Sequence, residues 1–221
     1  MCHSQNVEKR QQQHVHANVS LQSPPHHVFP SVEQQQQHIV QQNQQKMVKK
    51  QSSANKYPVL WQGQLAMKNA DTLVQMHKVC GNEALIQQMN GELSALNENG
   101  IPLLRINQRM RLEQTHLENL IRKMEREENQ LALICLPCGR DREDVVIQTQ
   151  KMSVAFIEYF SSKSAAGIVS SGATQQPSAM VAHIFPPSDF SRMLLSRNAP
   201  DLLRTVESLN AGYLFVILTN K

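Results

Sequence analysis

Residues 104–112 read Leu-Arg-Ile-Asn-Gln-Arg-Met-Arg-Leu, and this alternation of apolar and polar side chains leaves few ways to fold. Successive side chains on a strand point to opposite faces. Read as a strand, the segment turns Leu104, Ile106, Gln108, Met110 and Leu112 one way and Arg105, Asn107, Arg109 and Arg111 the other. Three guanidiniums on one exposed face repel each other unless something anionic lies over them. Guanidinium forks suit planar or tetrahedral oxyanions, phosphate above all. The stretch therefore fits a docking surface for a phosphorylated or acidic partner. It fits equally a solvated strand face whose arginines pair with nearby Glu. The residues alone leave both readings open.

The same period of two recurs at residues 57–68. Val59, Trp61, Gly63, Leu65 and Met67 share one face, and Leu60, Gln62, Gln64, Ala66 and Lys68 the other. That is a strand with one buried face. Trp61 reads as core rather than as a ligand platform, and Lys68 projects from the wetter side. Asn69-Ala70 leaves room only for a turn, and residues 72–80 form a second strand. Residues 83–100 contain Asn-Gly twice and read as loops with a short helix.

Past the arginine strand the period changes. Leu117, Leu120, Ile121 and Met124 give a helical stripe within residues 113–128. Residues 131–136 are a continuous apolar run of strand length, buried on both sides. Pro137-Cys138-Gly139 breaks it. Asp141 then offers an N-cap, with Glu143 and Asp144 in the first turn. The spacing predicts a long helix to about Lys163, with an inner stripe of Val145, Met152, Phe156 and Tyr159. Gly167 and residues 170–178 read as a flexible loop, 180–185 as a strand ended by Pro186-Pro187, 188–195 and 201–209 as short helices, and 213–218 as a closing strand. Strands come first and then alternate with helices. This order predicts an α+β domain around a curved sheet or barrel.

Residues 1–55 are of another kind. Fourteen of them are Gln and six are His, in runs without an amphipathic period. Such a segment lacks the apolar surface to offset the entropy of ordering, so it reads as a disordered low-complexity tail before a domain at 56–221. Its histidines are spaced too irregularly for a metal site. The formal charge of +4 divides unevenly: residues 1–55 hold five Lys/Arg against two Asp/Glu, and residues 56–221 hold seventeen against sixteen. The domain is nearly neutral, so any basic patch must come from arrangement, and charge alone argues against indiscriminate nucleic-acid binding. No apolar run approaches the ~20 residues of a membrane helix. No signal peptide is visible, and four cysteines are too few for a disulfide scaffold, so a reducing compartment is expected.

Catalytic signatures are sparse. Cys135-Leu-Pro-Cys138 is a C-x-x-C near a helix start, the setting of a redox pair. Cys135 falls inside an apolar strand, and the helix cap is Asp141 rather than Cys138. Both points oppose the redox reading. A zinc site would need two further ligands, and nothing supports Cys80 and His183 in that role. No phosphate-binding loop, dinucleotide fingerprint, nucleophile elbow or H-E-x-x-H occurs, so no enzyme and no cofactor are expected. Tyr159 and Lys163 lie four apart on the long helix and share a face. They could hold one phosphate together. Spacing alone favours the plainer view that Tyr159 edges the core stripe and Lys163 is solvated.

Six blocks in order resemble the SPOC domain found at the C-terminus of Spen proteins. They are Tyr57-Pro-Val-Leu-Trp-Gln-Gly63, Leu104-Arg-Ile-Asn-Gln-Arg-Met-Arg-Leu-Glu113, Leu136-Pro-Cys-Gly-Arg-Asp-Arg-Glu-Asp-Val-Val146, Ala165-Ala-Gly-Ile168, Ile184-Phe-Pro-Pro187 and Ala199-Pro-Asp-Leu-Leu203. The resemblance covers about residues 56–219. It implies a distorted β-barrel flanked by helices and a non-catalytic, nuclear module. Such a module recruits SMRT/NCoR-type corepressors through a short acidic motif carrying phosphoserine. Related domains bind the phosphorylated C-terminal repeats of RNA polymerase II. The family's basic patch falls on Lys68, Arg105, Arg109 and Arg111, with Tyr159 and Lys163 beside it. Each position carries the required residue type here. The resemblance thus raises both the arginine face and the Tyr159–Lys163 pair above the plainer readings. Spen proteins also carry RNA-recognition domains, and this sequence shows none. It is expected to be a fragment or a docking domain alone, with RNA binding left to a full-length parent. RNA binding through the same basic face is the competing function.

Overall fold

The computed structural model describes residues 56–170 and 179–220. The Gln/His-rich tail expected at 1–55 and most of the loop expected at 170–178 lie outside the described residues. Among the described residues, nine strands form one sheet. In chain order they are β1 (Val59–Met67), β2 (Ala70–Gly81), β3 (Ser94–Leu96), β4 (Pro102–Ile106), β5 (Gln108–Arg111), β6 (Gln130–Pro137), β7 (Ala165–Ser170), β8 (Met180–Phe185) and β9 (Leu214–Asn220). Their order across the sheet is β3-β4-β1-β2-β6-β9-β8-β7-β5. One residue separates β4 from β5, so the two sides of the sheet are joined through a single stretch of chain. The sheet is thereby curled into a distorted barrel. All pairings are antiparallel except β1 with β4.

Two cores result. The inner one gathers Trp61, Leu65, Met67, Leu104, Ile106, Leu131 and Leu133 from inward-facing strand positions. Trp61 is 5% exposed, so it is core as expected. Its indole lies over Gly63, where an added Cβ would come within 2.7 Å of the ring. The outer core lies between the other face of the sheet and three helices: α2 (Gln114–Met124), α5 (Asp189–Asn198) and α6 (Pro200–Ser208). It contains Leu120, Ile134, Phe185, Phe190, Leu203, Phe215 and Ile217. The central strands β6 and β9 feed both cores, which is why their sequences are apolar without alternation. The short helix expected within 83–100 is α1 (Leu85–Glu92).

One long helical run seals the inner core. It comprises α3 (Arg142–Met152), a π-helical segment (Ser153–Glu158) and α4 (Tyr159–Ser162). Asp141 caps it, accepting from the Asp144 N–H at 2.8 Å. Gln148 ties it to β2: its side-chain oxygen accepts from Leu73 N–H at 2.9 Å and from Thr72 at 3.2 Å, and its amide donates to Asp144 at 3.0 Å. A buried amide satisfied on both sides costs little and fixes the helix in one register.

The inner stripe differs from the expected one. Gln148, Met152, Phe156 and Phe160 are buried, whereas Val145 and Tyr159 are half-buried. A four-residue repeat drifts by about 40° per step on an ideal α-helix. The π segment, with its wider i→i+5 bonding, takes up that drift. It keeps Phe160 inward and turns Tyr159 to the rim.

Two further corrections follow from packing. Gly167 does not lie in a loop; it sits within buried strand β7. A Cβ there would come within 2.8 Å of Phe160 and 3.0 Å of Ile106, so only glycine lets the helix seat against this strand. Residues 104–112 are not one strand. Asn107 N–H donates to Ile168 O at 3.0 Å, and Gln108 also pairs with Ile168. Two residues oppose one, which is a β-bulge. A slip of one residue exchanges the faces of a strand. Leu104 and Ile106 accordingly point into the inner core, while Met110 and Leu112 pack against the outer one. Gln108, expected on the apolar side, is exposed.

Candidate functional site

The bulge determines where the arginines go. Arg109 and Arg111 pair across the ladder with Gly167 and Ala165. Cross-strand partners share a face, and this is the face that Ala165 turns to the inner core and against which Phe160 of the helix packs at Gly167. Here β1 has already turned away, so the arginines emerge at the mouth of the barrel, exposed, instead of being buried. Arg105, before the bulge, stands on the outer face beside Ala66. Its Nη1 reaches to 3.5 Å from Lys68 O, at the limit of a hydrogen bond.

Lys68 occupies the turn between β1 and β2, where Met67 pairs with Ala70. Its φ is +54°, a region that favours Gly and Asn. The turn throws its ammonium toward the helix, where Nζ lies 5.6 Å from the centre of the Tyr159 ring. The Arg109 guanidinium carbon is likewise 5.6 Å from that centre. Tyr159 in turn packs edge-on against Phe160, with ring centres 5.5 Å apart. The tyrosine is thus a platform for two cations, anchored through the buried phenylalanine. Lys163 closes the helix as an exposed C-cap. Leu112 N–H bonds Ser164 O at 2.9 Å, so Lys163 lies near the end of β5 that bears Arg111.

Between these groups lies a groove of about 160 Å³ lined by Met67, Lys68, Ile106, Asn107, Gln108, Arg109 and Tyr159. Its floor is apolar and its rim cationic. None of the ion pairs among the described residues involves Lys68, Arg105, Arg109, Arg111 or Lys163. The solvated-face reading relied on pairing with nearby Glu, and no such pair forms among the described residues. The structure brings Lys68, Arg109 and Tyr159 together. It sets Arg111 and Lys163 further along β5, and Arg105 around the edge on the opposite face. Sequence reasoning missed Phe160, Gly167 and the bulge. The one signal for the bulge was Gln108, a polar residue at an expected inward position.

The redox pair finds no support. Cys135 is fully buried, and burial pushes its thiol far up. Burial also raises Cys138, against the opposing effect of a Gln62 amide 3.6 Å from its sulfur. A reactive thiol needs the opposite shift. Among the described residues, no three His, Cys, Asp or Glu side chains cluster as metal ligands would. No helix among them is long and apolar enough to cross a membrane.

The SPOC-domain family profile matches residues 51–221. Over 164 residues the chain is 48% identical to Msx2-interacting protein of Homo sapiens, covering 73% of this chain and 4% of that one. Over 167 residues it is 46% identical to Protein split ends of Drosophila melanogaster, covering 74% of this chain and 3% of the relative. The chain therefore spans a few per cent of the length of these relatives, neither of which is named as an enzyme. The crystal structure of the SPOC domain of human PHD-finger protein 3 aligns with 74% of this chain and 98% of its own, at 16% identity and a TM-score of 0.46.

Proposed function

The chain belongs to the SPOC-domain family, and from that premise we propose that its folded domain is a docking module of transcriptional repression that reads acidic peptides carrying phosphoserine. The observation that carries this reading is the Lys68–Tyr159–Arg109 cluster: two cations on one ring, beside a groove, with no carboxylate paired to either among the described residues. Like charges held together without counterions await an anion. A phosphoserine brings a charge of about −1.5 to −2 and three acceptor oxygens.

In this reading Arg109 forks onto the phosphate, Lys68 closes from the hairpin turn, and the Tyr159 hydroxyl adds a donor. Arg111 and Lys163 take neighbouring carboxylates, and Arg105 extends the field around the edge. Each charge-assisted bond contributes roughly 1.5–3 kcal/mol. Two of them amount to a hundredfold or more in affinity, enough for phosphorylation to act as a switch. SMRT/NCoR-type corepressor tails are the partners we assign first, and phosphorylated C-terminal repeats of RNA polymerase II second. Such work places the protein in the nucleus.

The test is a titration of the 221-residue chain with an acidic corepressor-type peptide, with and without phosphoserine, at physiological salt. A strong preference for the phosphopeptide is expected. Equal binding reduces the site to acidic-peptide docking. Binding of RNA instead, falling steeply with salt and indifferent to the peptide, replaces the reading with backbone phosphate recognition.

A further inference from the structure

Arg109 and Arg111 lie on a strand with an open side. β5 ends the order of the sheet: β7 pairs with one of its edges, and among the described residues no strand pairs with the other. β1 runs parallel beside β4 as far as the pair Met67–Ile106 and then reverses at Lys68 and Asn69. The position that a strand would hold next to β5 therefore begins where β1 leaves the sheet. The groove lined by Met67, Lys68, Ile106 and Arg109 opens at that point.

The direction of the amides can be read from the ladder. Residues of an antiparallel strand address the same neighbour alternately. Leu112 N–H bonds Ser164 O on the β7 side at 2.9 Å. Gln108 and Met110 therefore also turn their amides to β7. Arg109 and Arg111 turn theirs to the open edge. Consistent with this, Arg111 O meets the His116 side chain, with Nδ1 at 3.3 Å, rather than β7. The bulge at Asn107–Gln108 bounds the open stretch at one end and His116 bounds it at the other. What remains is the N–H and C=O of Arg109 and the N–H of Arg111.

We propose that the ligand binds as an added β-strand along this edge of β5, an inference that rests on the peptide-docking reading above. Main-chain bonds to Arg109 and Arg111 set its position, and the side chains of the same two residues read its charges. In strand addition, backbone bonds supply affinity and alternate side chains supply specificity. The ligand's side chains that share a face with Arg109 and Arg111 are two residues apart. The site thus selects anionic groups at alternate positions, a phosphoserine and a carboxylate with one residue between them. Charge complementarity fixes the occupant as an acidic peptide. A second copy of this chain would set Arg109 and Arg111 against their own kind, and like charges across a strand pair are destabilising.

Amide exchange in the isotope-labelled 221-residue chain tests this directly. The probe is a ten-residue acidic peptide with one phosphoserine, supplied unmodified and as a set of single N-methylated amides. In the free protein, the Arg109 and Arg111 amides are expected to exchange quickly and the Met110 amide slowly. Bound peptide should slow the first two at least tenfold. N-methylation should cost at least tenfold in affinity at the one peptide amide that donates to Arg109 C=O and little at the amides on either side of it. Tight binding with fast Arg109 and Arg111 amides, or a uniform effect of N-methylation, overturns strand addition and leaves docking by side chains intact. Slow Arg109 and Arg111 amides in the free protein that quicken on dilution show an edge paired with a second copy, which also overturns it. Absence of peptide binding overturns both this inference and the function it rests on.

Discussion

Replacing Lys68 by Asn should make the protein slightly more stable and a poorer binder. Lys68 is held at φ +54°, in a two-residue turn between β1 and β2. Left-handed backbone costs an ordinary L-residue about 1–2 kcal/mol, and Asn tolerates it better by roughly 1 kcal/mol. Against that gain stands the loss of an exposed cation over the Tyr159 ring, worth about 0.5 kcal/mol. The balance is a stabilisation of about 0.5 kcal/mol, or ~1–2 °C in Tm for a domain of this size. Removing the ammonium from the groove should weaken phosphopeptide binding roughly tenfold or more. Lys68→Gly separates the two effects. Glycine also accepts the turn, but its greater freedom in the unfolded chain cancels the gain. Its Tm should stay near that of the parent while its affinity falls as far as that of Lys68→Asn. Calorimetric melting and peptide titration on the three proteins decide the matter. A drop in Tm of more than about 3 °C in Lys68→Asn, or affinity equal to the parent, refutes the reasoning. The first would mean the lysine is structural, the second that the groove is not the docking site.

Arg109→Ala should weaken phosphopeptide binding by roughly ten- to a hundredfold while moving Tm by less than about 3 °C, since among the described residues it forms no ion pair and it gives up its place over Tyr159. A large loss of stability would make it a structural residue. Gly167→Ala should do the reverse. Its Cβ meets Phe160 at 2.8 Å, and overpacking of this kind costs about 1–3 kcal/mol, seen as a Tm lower by several degrees. It should also impair binding, because Tyr159 leans on Phe160; a variant with unchanged Tm would contradict the close packing of helix and strand. Burial lowers His183 to about 4, helped by Lys123 and opposed by a bond to the Ile217 backbone. The unfolded histidine titrates near 6.5. Its contribution is therefore full above pH 6.5 and is lost as pH falls toward 4, up to roughly 3 kcal/mol, because only the unfolded chain takes the proton. In urea titrations at pH 7.5 and 4.5, His183→Gln should lose less stability than the parent on acidification; equal losses would show that the histidine is not buried as a neutral ring.

Local pattern carried much of this fold. The alternation at 57–68, the apolar run at 131–136, the Asp141 cap and the strands before Pro186 and at the C-terminus all follow from side-chain period and backbone chemistry. These act within a few residues, so they are legible without knowing what lies across the sheet. The resemblance carried by the six motif blocks brought Lys68, Arg105, Arg109, Arg111, Tyr159 and Lys163 forward as one candidate patch, which the structure divides between two faces of the sheet. Where the reading failed, the deciding contact was distant. Nothing next to Gly167 in the chain says that Phe160 will need the space of its missing side chain. Tyr159 and Phe160 are adjacent aromatics, and α-helical spacing chose the wrong one for the core. A π segment, formed so that Gln148, Met152, Phe156 and Phe160 could all face inward, reversed the choice.

The arginine strand shows the division most clearly. Its sequence by itself determined that three guanidiniums would be exposed on an extended chain, because apolar residues at every second position must be buried. Only the tertiary structure decided which way they point. The strand must serve two cores, Ile106 in the inner and Met110 in the outer, and it changes faces through a bulge against Ile168. That bulge parts Arg105 from Arg109 and Arg111 and brings Arg109 to Tyr159. No rule of local alternation contains it, since its cause is the packing of β7 and the helix, some sixty residues away in the chain.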